Sequence, residues 1–142
     1  MTVSVKYSTS ATATGGGRDG ASALDDGGLV IKMTPPKELG GSGQGNNPEQ
    51  LFAMGYASCY LSAMRFVAGA EKLGAVPPEA SVRASVGIGP RSDGGFGLTV
   101  KIEVSMPGVD RAVAEKIAER GHAVCPYSHA TKGNIVVETV VI

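Results

Sequence analysis

Two residues in this chain can do thiol chemistry, and they are its only cysteines, Cys59 and Cys125. A thiolate attacks an electrophilic oxygen or sulfur, becomes a sulfenic acid, and is converted to a disulfide by a second thiol. Cys59 lies in the apolar stretch from Leu51 to Val67, near the middle of an expected helix and far from the helix N-terminus that would favour its ionised form. Lowering its pKa therefore requires a cation delivered from elsewhere. Without one, Cys59 is a small hydrophobe filling core space.

Arg18 is the candidate cation. It stands in the turn Gly15-Gly16-Gly17-Arg18-Asp19-Gly20, where missing side chains let the backbone approach another element closely. Taken alone it also fits a solvated surface charge. Glu49, in the first turn of the expected helix, is explained by the helix dipole alone. Cys125 sits in His122-Ala123-Val124-Cys125-Pro126-Tyr127-Ser128-His129. The proline is expected to prevent regular structure there and to leave a mobile segment, which suits a resolving thiol; an isolated free thiol is the plain alternative. His122, Cys125 and His129, with Cys59 as a fourth group, have the spacing of a metal site, but no CxxC or HExxH pattern supports one and no metal is expected. Gly41-Ser42-Gly43-Gln44-Gly45 precedes a helix start yet lacks the Lys-Ser/Thr of a phosphate loop, so phosphate binding is not expected either.

The elements that must position these residues follow from pattern. Val3, Val5 and Tyr7 alternate with Ser4 and Lys6, and Leu29 to Met33 is a short apolar run, so two or three strands separated by GGGRDG and DDGG turns are expected over the first 33 residues. Thr34 to Asn47, with two prolines and four glycines, reads as a long loop. Asn47-Pro48-Glu49-Gln50 starts a helix with an Asn N-cap, Pro at the first position and Gln at the reciprocal capping position. Apolar residues lie all round that helix, so burial on every side is expected, with an end near Gly74. Ten residues separate Glu49 from Cys59, about 15 Å along a straight helix and about 80° out of phase. A site holding both needs a bent or interrupted helix, or a second subunit, and a homodimer is expected on that ground. Period-two runs at Ser81 to Ile88 and Phe96 to Met106 make a hairpin. Val109 to Arg120 is an amphipathic helix with Gly121 as its C-cap. Ile135 to Ile142 reads as a buried strand.

Composition narrows the class of function. The length of 142 residues suits one domain, residues 1–142, and 42% hydrophobic content is enough to bury a core. Lys plus Arg equals Asp plus Glu at 13 each, which gives no basic excess for a nucleic-acid partner. Glycine is abundant at 21 residues, ten of them between Gly15 and Gly45. The N-terminus lacks the basic and apolar regions of a signal peptide, so a cytoplasmic location is expected. The longest charge-free stretch, Gln50 to Met64, is short and interrupted for a membrane span, and none is expected.

Asn47-Pro48-Glu49-Gln50-Leu51-Phe52-Ala53 with Gly55-Tyr56-Ala57-Ser58-Cys59, and Val124-Cys125-Pro126-Tyr127-Ser128 followed by Gly133-Asn134, resemble the organic hydroperoxide resistance proteins of the wider Ohr/OsmC group. The resemblance extends from the Ala-Thr-Ala-Thr-Gly-Gly-Gly-Arg18 segment to the C-terminal strand. It implies an α+β fold, an intertwined homodimer with antiparallel β-sheets wrapped around central buried helices. It implies a thiol peroxidase without haem, flavin or metal, in which Cys59 attacks an organic hydroperoxide, Cys125 resolves it to a disulfide, and Arg18 and Glu49 assist. The implied electron donor is a dihydrolipoyl group on a lipoylated protein. Arg18 would stabilise the thiolate, with Glu49 fixing the guanidinium by a planar two-point contact. Phe52, Met54, Tyr56 and Tyr127 flank these residues and would offer an apolar pocket favouring alkyl or fatty-acid hydroperoxides. Two other readings remain: a redox sensor or hydrophobic-ligand carrier without turnover, and a structural domain with two inert cysteines.

Overall fold

Tight glycine turns set the register of the N-terminal sheet in the computed structural model, which describes all residues from Met1 to Ile142. The chain divides into two units, Met1–Leu51 and Phe52–Ile142. In the first, β1 (Ala11–Gly15), β2 (Gly20–Leu24) and β3 (Val30–Met33) form an antiparallel meander in the order β1-β2-β3. Gly15 and Gly17 hold φ of 69° and 73°, left-handed values that glycine adopts without strain, and the turn they make presents Arg18. The expected strand at Val3 to Tyr7 does not form. Residues 1–10 have no regular structure, and Val3, Val5 and Tyr7 are 74%, 70% and 81% exposed. Alternation favours a strand only where a neighbour pairs with it and covers one face, and nothing in this chain does so.

The loop from Thr34 to Asn47 is irregular apart from a single 3-10 turn at Lys37–Leu39 and a bridge between Met33 and Asn46. It ends in a reciprocal cap. Asn47 Oδ1 accepts from the Gln50 backbone N–H at 2.9 Å, and Gln50 Oε1 accepts from the Asn47 N–H at 3.0 Å. From there α1 runs uninterrupted over Pro48–Ala70.

In the second unit, α1 contributes a single buried stripe of Tyr56, Tyr60, Ala63, Met64, Val67 and Ala68. The spacing of three and four residues puts these on one face. Within one chain the burial is one-sided: Met54 is 69% and Phe66 is 67% exposed, because this chain packs against one face of the helix only. The helix also stops at Ala70 rather than near Gly74, turning through Lys72 with φ of 54°. At 23 residues α1 is longer than the stretch judged too short to span a bilayer. By length and mean hydropathy of 1.2 alone it suffices to cross a membrane, although its Tyr56 to Ala68 stripe is buried in the core of this chain.

The sheet of this unit is ordered β4-β5-β6, from β4 (Ser81–Pro90), β5 (Phe96–Ser105) and β6 (Val137–Val141). β4 and β5 form the expected antiparallel hairpin, whereas β6 runs parallel to β5 at the edge, so this sheet is mixed. As an edge strand β6 is half-buried in alternation rather than fully buried. α2 (Arg111–Val124) starts at Asp110, whose carboxylate accepts from the Ala112 and Val113 backbone N–H groups. α3 (Pro126–Thr131) follows at once. The core joins Tyr56, Tyr60 and Met64 of α1 to Ile102 and Val104 of β5, Ile117 of α2, and Cys125. Each large apolar side chain so buried contributes roughly 1.5–3 kcal/mol.

Gly121 is not a C-cap. It lies inside α2, fully packed, and a Cβ added there would sit 2.8 Å from Met64 Cγ and 3.2 Å from Tyr60 Cε2. Glycine serves at this position to let α2 approach α1.

Candidate functional site

Cys125 occupies the corner between two helices. Its N–H donates to the Gly121 carbonyl at 2.9 Å, closing α2, and its own carbonyl accepts from the His129 N–H at 2.9 Å, opening α3. Pro126 takes the first position of α3, where a missing N–H costs nothing and the fixed φ suits the helix. The segment expected to be irregular is thus a corner between two regular helices, and Cys125 is fully buried in it. Across from it, on α1, is the half-buried Cys59. Both thiols are free, and the Cys125 Sγ–H points at Cys59 Sγ from 3.5 Å. A disulfide needs the sulfurs at about 2.05 Å, so a shift of roughly 1.5 Å joins them.

The electrostatics of Cys59 within this unit oppose ionisation. Burial pushes its thiol above the usual cysteine range, while the Tyr127 backbone N–H works in the opposite direction. Activating this sulfur requires a positive charge that its own surroundings do not supply. Burial likewise holds the Tyr60 phenol protonated well above its ordinary range.

Three of the four expected pocket residues come together. The rings of Phe52, Tyr56 and Tyr127 form a triangle with centroids 5.7 to 5.9 Å apart, Phe52 meeting Tyr56 edge-on at 88°. Tyr127 lies over Gly55, with its phenol oxygen 2.8 Å from the place a Cβ would take. Met54 faces outward and is not part of the triangle. Tyr56 is wholly buried, so its ring can line a cavity wall while its hydroxyl is engaged elsewhere.

That engagement involves residues the sequence reading missed. Tyr56 Oη lies 2.9 Å from Ser128 Oγ and 3.3 Å from Thr131 Oγ1. Ser128 Oγ is in turn 2.7 Å from His122 Nδ1, and His122 Nε2 is 2.7 Å from Thr139 Oγ1 on β6. The imidazole also packs against the Tyr60 ring, tilted by 38° with centroids 4.5 Å apart. Burial depresses the His122 pKa, which favours the neutral ring. Both His122 nitrogens therefore face hydroxyl groups, and His129 is exposed, so the metal-like spacing of His122, Cys125 and His129 is not assembled into a ligand set. The one available signal was the pair of small hydroxyl residues a turn apart after Cys-Pro, Ser128 and Thr131.

In the N-terminal unit, Arg18 and Glu49 meet in a two-point contact. Arg18 Nη2 donates to Glu49 Oε1 at 2.6 Å and Nη1 to Oε2 at 3.0 Å. Hydrogen bonding to Arg18 holds the Glu49 carboxyl below the usual carboxylate range, and the same contact raises the guanidinium pKa. Glu49 is therefore more than a dipole-stabilising acid. The Arg18 side chain remains 44% exposed, and a guanidinium carries five N–H donors, so the pair leaves a fixed cation with donors to spare.

Comparisons with known proteins agree with this layout. Residues 41–140 match the family described as OsmC-like protein. The organic hydroperoxide resistance protein of Xanthomonas axonopodis pv. citri is 49% identical over 132 residues, covering 92% of this chain and 91% of the relative. Among solved structures, a putative organic hydroperoxide resistance protein from Vibrio cholerae superposes with a TM-score of 0.91 at 43% identity, over 99% of this chain and 95% of that one. One from Elizabethkingia anophelis gives 0.90 at 44% identity, covering 98% of both chains.

Proposed function

Since the chain belongs to the OsmC-like family, among its organic hydroperoxide resistance proteins, and so has a role in organic peroxide resistance, we propose that it is a cysteine-based peroxidase. In this reading the Cys59 thiolate attacks the distal oxygen of ROOH. The O–O bond breaks, ROH leaves after taking a proton, and Cys59 becomes a sulfenic acid. The Cys125 thiol then attacks the Cys59 sulfur; an S–S bond forms, the S–O bond breaks, and water departs with the thiol proton. The observation that carries the reading is the 3.5 Å approach of two free thiols, one half-exposed and one buried at a fixed corner.

Arg18, held by Glu49, is assigned the cation that Cys59 needs. Guanidinium N–H donors would stabilise the thiolate and the charge developing on the departing oxygen. Glu49 and Cys59 share one uninterrupted helix and lie ten residues apart, so this reading takes the cation from a second copy of the chain. A homodimer would also cover Met54 and Phe66. The aromatic wall of Phe52, Tyr56 and Tyr127 favours alkyl or fatty-acid hydroperoxides over hydrogen peroxide. No haem, flavin or metal takes part. The electron donor is a dithiol, a dihydrolipoyl group on a lipoylated protein, which becomes a cyclic disulfide as it returns both cysteines to thiols. Such a cycle belongs in a reducing compartment, here the cytoplasm.

One observation favours a sensor or ligand carrier without turnover: burial raises the Cys59 pKa. Steady-state consumption of cumene hydroperoxide with dihydrolipoamide decides between them. The wild type is expected to turn over and Cys59→Ser to be inactive; no consumption by the reduced wild type, or equal activity in the variant, refutes the peroxidase.

A further inference from the structure

The corner that carries Cys125 is braced by a chain of hydrogen bonds that the chemistry above does not use. Thr139 of β6 meets His122 Nε2 at 2.7 Å, His122 Nδ1 meets Ser128 at 2.7 Å, and Ser128 meets Tyr56 at 2.9 Å. His122 lies in the last turn of α2, three residues before Cys125, and Ser128 lies in α3, three residues after it. The bond between them spans the corner and fixes the angle at which the two helices meet. Tyr56 is one turn before Cys59 on α1, so the same chain ties the peroxidatic helix to the resolving one. Thr139 anchors the assembly to the sheet.

We propose that His122 is the positioning residue of the disulfide step: bonded to Thr139 on one side and Ser128 on the other, it holds the α2–α3 corner so that Cys125 Sγ lies in line with Cys59 Sγ. The inference rests on the peroxidase reading. A neutral imidazole has one donor and one acceptor, so the hydroxyls on either side are polarised in one direction along the chain. No other neutral side chain can offer both groups at opposite edges of a rigid ring. Without the brace, α3 swings about Cys125, and the thiol loses its place against the sulfenic acid; Tyr127 moves with α3 and loosens its contacts with Cys59 and the aromatic wall, while Phe52 and Tyr56 stay in place on α1.

The test separates the two half-reactions. Reduced protein is mixed with one equivalent of cumene hydroperoxide, and alcohol formation, disulfide formation and capture of Cys59 by dimedone, a sulfenic-acid trap, are followed. His122→Ala is expected to form the disulfide about 10- to 100-fold more slowly, the usual consequence of misplacing a reacting atom by about 1 Å, and to slow alcohol release by a smaller factor, through Tyr127 on the same helix, so that the sulfenic acid accumulates. Dimedone capture rises accordingly. His122→Asn keeps an amide near the Nδ1 position and the bond to Ser128, so its disulfide rate stays within about threefold of wild type. His122→Gln reaches only the Nε2 position and behaves like Ala. A disulfide rate in Ala or Gln equal to wild type overturns the proposal, as does an Asn variant as slow as Gln. Should Ala not fold, the Asn and Gln pair decides alone. A second readout avoids peroxide altogether: equilibration of the cysteine pair with a glutathione redox buffer. An Ala or Gln variant whose disulfide forms at the wild-type equilibrium constant, rather than at least about tenfold less favourably (about 30 mV), overturns the positioning role even if the peroxidase reading has failed.

Discussion

Gly121→Ala sets two effects of known size against each other. In a helix interior, Ala is favoured over Gly by about 1 kcal/mol. At this position, however, the new methyl would stand 2.8 Å from Met64 Cγ and 3.2 Å from Tyr60 Cε2, against a comfortable carbon separation of roughly 3.5–4.0 Å. Met64 is flexible and can shift by rotation. Tyr60 cannot, because its hydroxyl donates to the Ala118 carbonyl at 2.5 Å and its ring packs against His122. Overpacking of this kind costs about 1–3 kcal/mol, so the net expectation is destabilisation by about 1 kcal/mol. Gly69→Ala is the matched control: it is helical and exposed, and a Cβ there meets nothing within 4 Å. That substitution should stabilise by about 0.5–1 kcal/mol. Urea unfolding of both variants at one protein concentration, with the thiols kept reduced, reads the signs directly. If Gly121→Ala is as stable as wild type, or if the two variants shift in the same direction, the close helix approach is not what requires glycine. The functional counterpart is disulfide formation, which should slow in Gly121→Ala because α2 delivers Cys125.

Mixing Cys59→Ser with Arg18→Ala tests the source of the cation. If one copy supplies Arg18 to the other's Cys59, random re-pairing restores one intact site in each mixed dimer, about a quarter of all sites, whereas no recovery of hydroperoxide turnover places both residues of a site in one copy. Acid should weaken the fold through His122. Its folded pKa is depressed below 6.5 by burial, so the unfolded chain binds the extra proton first, and stability present above about pH 6.5 is lost as pH falls toward the folded value. His122→Asn should show a shallower loss across that window in urea titrations; an identical slope refutes the burial argument.

Much of the site was legible because it rests on local rules. Asn47-Pro48-Glu49-Gln50 is a cap whose hydrogen bonds are all within four residues, and it formed as its sequence dictates. The glycine turn that holds Arg18 and the hairpin of β4 and β5 are equally local. Misreadings arose where tertiary packing decides. Gly121 looks like a helix stop by residue type alone, and only the neighbouring Tyr60 and Met64 explain a glycine inside α2. Pro126 looks like a breaker, yet at the first position of α3 it is a starter. The Val3 to Tyr7 alternation lacks a pairing edge, a property that no local pattern encodes. His122 could be seen as a potential ligand, but its partners Ser128 and Thr139 come from different elements, so the bracing role emerged only in three dimensions.

The two cysteines are far apart in sequence, with a separation of 66 positions, and this has a consequence beyond chemistry. When they join, they close a large covalent loop containing most of the second unit, and loop-closure entropy alone then disfavours unfolding by about 4 kcal/mol. In the proposed cycle, molecules that have met peroxide but not yet a reductant would be harder to unfold and to digest than the resting pool. The balance between oxidant and donor would thus be written into protease resistance, and the spent molecules would persist until the next dithiol arrives.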